Sequence, residues 1–80
     1  MFFTYVLKSQ KDNNLYVGWT NDLINRLKDH NSGKVQATKA RTPLEIVYYE
    51  ACLDSSLAIA REKQLKTGFG RAYLKRRLGL

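Results

Sequence analysis

A phenol, a fixed cation and an imidazole lie close together in the chain at Tyr16, Arg26 and His30. Such groups can together hold a phosphate and move a proton. Arg26 and His30 are one turn apart if their segment is helical, so they are neighbours on its surface. Arg26 could equally be an i,i+4 partner of Asp22 on a surface helix, and a lone histidine at a helix end is more often a surface residue than a catalytic one. Tyr5 adds a second phenol on a neighbouring apolar run; the ordinary role of Tyr5 and Tyr16, as of Tyr48, Tyr49 and Tyr73, is core packing. Glu62 stands further along, where Ala58, Glu62 and Leu65 share a face at helical spacing. A carboxylate beside an apolar stripe costs free energy unless it is paired or holds a metal. Pairing with Arg61 or Lys66 is the more frequent outcome. One carboxylate is nevertheless enough for a weakly held Mg²⁺ completed by waters and a substrate phosphate.

The elements that must position these groups are short. Leu15 to Trp19 is apolar, aromatic and β-branched, which predicts a buried strand, with Gly18 allowing close approach near its end. A helix is expected over about Asn21 to Asn31, capped by Thr20 or Asn21 with Asp22 in its first turn. Leu23, Ile24 and Leu27 form its apolar face and Gly33 is the stop. Phe2 to Leu7 reads as the first strand, and Asp12-Asn13-Asn14 signals the turn that makes the first two strands an antiparallel hairpin. Ser32 to Thr42 is polar, basic and unpatterned, hence a loop. Leu44 to Glu50 is a third strand. Asp54-Ser55-Ser56 starts a second helix that runs to about Lys66. Gly68 and Gly70 break it, and Arg71 to Leu78 forms a third, with Tyr73, Leu74 and Leu78 as its packing side. Three strands cannot bury both faces of a sheet alone, so helices must cover it. The expected fold class is α/β (α+β): one domain over residues 1–80, a small sandwich with a three-stranded, mostly antiparallel sheet in the order β-β-α-β-α-α.

Eighty residues make a small core and leave any chemistry on an exposed face. The charge is uneven. Residues 61–80 hold seven Lys or Arg against the single acid Glu62, whereas the first sixty residues are nearly balanced. A basic end points to a polyanion, most simply nucleic acid. The candidate contacts are Lys34, Lys39 and Arg41 in the loop, and Lys63, Lys66, Arg71, Lys75 and Arg76 towards the C-terminus. The C-terminal apolar positions are too few for a membrane-surface helix, and no run is long enough to span a bilayer. Cys52 is the lone cysteine, so an intrachain disulfide and a multi-cysteine metal site are excluded. With no leader-like run after Met1, a reducing cytoplasm is the expected compartment. There is no phosphate-binding Gly-rich loop and no serine nucleophile elbow.

Phe3-Thr4-Tyr5, followed by Tyr16-Val17-Gly18, resembles the paired motif of the GIY-YIG nuclease superfamily. Arg26, His30 and Glu62 match that family's order. The stretches His30–Pro43 and Arg61–Leu78 resemble its short stand-alone bacterial members. The likeness covers nearly the whole chain. It implies a phosphodiesterase that cuts DNA with one divalent cation, Mg²⁺ or Mn²⁺. Glu62 would be the metal ligand, and Tyr16 or Tyr5 would help activate the attacking water. Arg26 would stabilise charge on phosphorus, and His30 would shuttle or orient a proton. Phe3 replaces the motif's first glycine and Thr4 its aliphatic residue. Trp19 stands where some members carry a lysine.

The leading expectation is thus a metal-dependent DNA endonuclease acting in repair or on branched or single-stranded DNA. A nucleic-acid-binding module with little catalysis is the alternative, with RNA as another polyanion. A third reading completes the face with a protein partner or a second copy of the chain.

Overall fold

The computed structural model describes all eighty residues. The elements are β1 (Phe2–Ser9), β2 (Leu15–Thr20), α1 (Leu23–Asn31), β3 (Leu44–Cys52), α2 (Ser55–Leu65) and α3 (Gly68–Leu78). The expected order and α+β class hold. The sheet runs β2-β1-β3 with both pairings antiparallel, so β1 is central and β2 and β3 are edges.

Alternation along β1 explains the layering. Tyr5 and Leu7 point to one face, where Leu44 joins them and Tyr16, Ile46, Leu23 and Leu27 pack around. This is the α1 side. Val6 points to the other face and meets Val17, Leu65 and Leu74, with Leu15, Val47, Tyr48 and Tyr73 alongside. This is the side of α2 and α3. Each strand residue serves one face only, because side chains alternate with period two. A bulge between β1 and β3 breaks that rule once: Val6 opposes Tyr48 and Leu7 opposes Ile46, leaving Val47 without a partner. The extra residue lets Val47 and Tyr48 both pack on the α2–α3 side. Thr4, 1% exposed, ties β1 to α2 by donating to the Ala58 carbonyl at 2.9 Å.

Several boundaries differ from expectation. Helix α1 begins at Leu23, and Asp22 is its cap rather than part of its first turn; the Asp22 carboxylate accepts from Asn25 N–H at 3.2 Å. Ile24 is exposed, so the apolar stripe of α1 is only Leu23 and Leu27, both half-buried. The hairpin turn holds Asn13 in the left-handed region, where asparagine is among the few tolerated side chains. Helix α3 starts at Gly68, not Arg71, with Thr67 as its cap accepting from Gly70 N–H at 3.2 Å. The two glycines therefore lie inside α3 instead of breaking the chain. Gly70 is there for space: a Cβ would collide with the Gln64 carbonyl and the Leu65 backbone, where α3 starts against the end of α2. Glycine costs about 1 kcal/mol in a helix interior, and here the close crossing of two helices offsets it.

Gly70→Ala should destabilise the fold by about 1–3 kcal/mol through overpacking. Gly68→Ala, whose new Cβ would meet nothing within 4 Å, should be neutral or slightly stabilising. Thermal unfolding of the two variants checks the pair.

Candidate active site

Tyr5 is 1% exposed, yet its hydroxyl is not a passenger in the core. It crosses over Gly18, its cross-strand neighbour on edge strand β2. A Cβ at Gly18 would stand 2.5 Å from the Tyr5 hydroxyl oxygen. The absence of a side chain at residue 18 is what lets the phenol reach the β2 edge. There it meets two groups from α1. His30 Nε2 lies 2.8 Å from the Tyr5 oxygen, and Arg26 Nε donates to it at 3.4 Å. Arg26 thus turns to Tyr5 and not to Asp22. His30 is fully buried, and its Nδ1 is 2.7 Å from Thr38 Oγ1. Tyr16 closes the group: its ring is edge-on to His30 at 5.1 Å and 6.5 Å from the Tyr5 ring. The structure therefore brings Tyr5, Tyr16, Arg26 and His30 into one cluster.

Electrostatics set the protonation of this cluster. Burial pushes His30 down to about 4, and the Arg26 guanidinium pushes the same way. The imidazole is neutral at pH 7. Burial raises the Tyr5 phenol above its ordinary range, opposed by the hydrogen bond from Arg26. The hydrogen bond to Tyr5 raises Arg26, which stays charged.

Glu62 stands on α2, which packs on the opposite face of the sheet from α1. Its charge is felt by Tyr5, adding to the rise of the phenol. Its side chain is 19% exposed and pairs with Lys66 at 3.5 Å, one of the two partners its spacing allowed. The other, Arg61, is engaged elsewhere: it bonds Glu50 at 3.0 Å and lies 5.2 Å over the Tyr73 ring. No three His, Cys, Asp or Glu side chains gather anywhere in the structure. A protein-only metal cage therefore does not fit this chain, and Glu62 is a single carboxylate.

The basic residues divide into two groups. A groove of about 930 Å³ runs beside β2 and is lined in part by Tyr16, Arg41, Lys66, Arg71, Lys75 and Leu80. It shares Tyr16 with the cluster and, through Lys66, adjoins Glu62. Arg41 in its wall is paired with Asp12 at 2.8 Å, so it is the least available of the four cations. Lys34, Lys39, Lys63 and Arg76 are exposed and lie outside this lining. Thr38 is the member of the site that sequence reasoning missed. It sits in a stretch with no periodicity, and only its burial among exposed neighbours marks it.

The depressed His30 makes stability depend on pH. Between pH 4 and 6.5 the unfolded chain protonates His30 and the folded chain does not. Stability is therefore complete above about pH 6.5 and is lost as pH falls towards 4. The loss attributable to His30 is at most roughly 3 kcal/mol. Denaturant titrations of wild type and His30→Gln across that window should show the steeper acid loss in wild type only.

The family model for the GIY-YIG catalytic domain matches residues 1–77. A UPF0213 protein of Bacillus pumilus is 46% identical over 66 residues, covering 81% of this chain and 66% of that protein. The UPF0213 protein CPE1444 of Clostridium perfringens is 42% identical over 67 residues, covering 82% of this chain and 71% of the relative. The matched stretch thus spans about two thirds of each relative's length. The solution NMR structure of the UPF0213 protein BH0048 from Bacillus halodurans superposes with a TM-score of 0.55 at 29% identity, over 92% of this chain and 82% of that one. With the paired motif, the tyrosine–arginine–histidine cluster and this match over residues 1–77, the chain belongs to the GIY-YIG catalytic-domain family.

Proposed function

We propose that this chain is a metal-dependent endonuclease that hydrolyses phosphodiester bonds of DNA. The observation that carries the reading is the convergence of Tyr5, Tyr16, Arg26 and His30 at the β2 edge. Glu62 would hold Mg²⁺ or Mn²⁺. When bound, the cation would polarise the scissile phosphate and stabilise the leaving oxygen.

The chain's own residues supply the rest. Arg26 is in no ion pair, so its guanidinium is free to oppose charge developing on phosphorus. Tyr16 is half-buried where Tyr5 is closed off, so Tyr16 is the phenol that meets the attacking water. Tyr5 holds Arg26 in place and links the site to His30. The groove beside β2 would take the strand adjoining the scissile phosphate on Lys66, Arg71 and Lys75, with Leu15, Leu74 and Leu80 beneath. A role in repair, with branched or single-stranded DNA as substrate, belongs to the same reading, in the cytoplasm and with no membrane. No helix is long and apolar enough to cross one.

The test is cleavage of labelled single-stranded, duplex, flapped and four-way DNA with Mg²⁺ or Mn²⁺ against EDTA. Glu62→Gln should abolish metal-dependent cutting while leaving DNA binding within about twofold. Cutting that survives in Glu62→Gln overturns the assignment of the metal ligand. Binding without cutting in wild type would establish the binding module instead. Tyr16→Phe should lose more activity than Tyr5→Phe at equal binding; the reverse order would exchange their roles. For duplex binding, Lys75→Ala should reduce the slope of log affinity against log salt by about 0.9, the loss of one phosphate contact.

A further inference from the structure

Thr38 is fully buried in the loop between α1 and β3, while Ala37, Lys39 and Ala40 beside it are exposed. The loop is not free to place it elsewhere. Thr38 N–H donates to the Val35 carbonyl at 3.1 Å, and Arg41 N–H donates to the Thr38 carbonyl at 2.8 Å. The first hairpin grips the next residues: Ser9 Oγ donates to the Arg41 carbonyl at 2.6 Å, Lys11 Nζ to the Ala40 carbonyl at 3.1 Å, and Gln10 N–H to the Pro43 carbonyl at 2.9 Å. Those contacts hold the Thr38 hydroxyl 2.7 Å from His30 Nδ1, on the opposite side of the ring from Tyr5.

A neutral imidazole has one N–H donor and one acceptor nitrogen. The chain Thr38–His30–Tyr5 can therefore run in only two directions. In one, Nδ1–H donates to Thr38 and Nε2 accepts the Tyr5 hydroxyl proton. In the other, Thr38 donates to Nδ1 and Nε2–H donates to Tyr5. Three facts separate them. A phenol is a stronger hydrogen-bond donor than an aliphatic hydroxyl. Arg26 can only donate, and its N–H on the Tyr5 oxygen polarises the O–H further. In the second direction the Tyr5 oxygen would accept two N–H groups at once, whereas in the first it accepts one and donates one.

We propose that Thr38 is a positioning residue: it accepts the His30 Nδ1–H and so fixes the tautomer whose bare Nε2 faces Tyr5. This inference rests on the nuclease reading for its catalytic meaning, though not for its geometry. A bare Nε2 makes His30 an acceptor towards the site. When the Tyr5 O–H bond breaks towards the unprotonated Nε2, a new N–H bond forms there and the Tyr5 phenolate is left facing the Arg26 guanidinium. The resulting imidazolium keeps its Nδ1–H on Thr38. A third group that orients a histidine from behind is the general logic of a base held in the correct tautomer. Here a hydroxyl fills that place.

His30 is the only histidine in the chain, so one imidazole dominates a ¹⁵N-histidine spectrum. At pH 7, wild type should show a pyrrole-type Nδ1 and a pyridine-type Nε2. Thr38→Val keeps the shape and removes the acceptor, and should move the ring to a mixture or to the Nε2–H tautomer. Thr38→Ser should restore the wild-type pattern. In DNA cleavage, Thr38→Val should lower kcat by at least about tenfold with KM little changed, and Thr38→Ser should recover most of it. An Nε2–H ring in wild type, or an unchanged tautomer in Thr38→Val, overturns the proposal. Because the spectrum needs no substrate, a protein that cuts nothing would defeat the nuclease reading while leaving the tautomer assignment standing.

Discussion

The missing side chain of Gly18 is the constraint on which the site depends. Tyr5 belongs to the central strand and packs with Leu7 and Leu44, so its ring is core. Its hydroxyl becomes useful only because β2 leaves room for it to cross to the sheet edge. There the phenol is pinned between Arg26 and His30. The same residue therefore stabilises the fold and builds the site, and a polar atom that burial would otherwise penalise finds both a donor and an acceptor.

The supporting structure follows from the smallness of the chain. With little core available, polar ties carry part of the tertiary organisation. Asn31 clamps the start of β3, accepting from Leu44 N–H at 2.7 Å and donating to its carbonyl at 2.9 Å. On the other face, Tyr48 donates to Glu50, which Arg61 holds, and Tyr48 meets the Tyr73 hydroxyl at 2.8 Å. That second network joins β3, α2 and α3. It anchors the basic helix that lines the groove, and it occupies Arg61 so that Glu62 is left with the exposed Lys66 as its only ion-pair partner.

Much of this was legible in the amino-acid sequence because it is local. Element order follows from periodicity and turn residues, and the Arg26–His30 adjacency follows from helical spacing. What was not legible depends on contacts between distant segments. Glycines at 68 and 70 read as a helix break, yet Gly70 answers to the backbone of the preceding helix. Tyr5 and Tyr16 gave no sign of whether they were core or site, and Tyr5 is both. Thr38 lies in a loop without pattern; only the hairpin that grips the loop makes it a partner of His30. Arg41, a natural phosphate contact by type, is committed to Asp12 by the same hairpin.

The central claim is that Glu62 and the tyrosine cluster form one metal-dependent site. Its most direct test is the paramagnetic broadening of backbone amide signals by Mn²⁺ in the presence of a short DNA strand. The account predicts broadening centred on Glu62 and extending to Tyr16, Gly18 and Arg26, with none of it in Glu62→Gln. Broadening centred elsewhere, or unchanged in that variant, would contradict it.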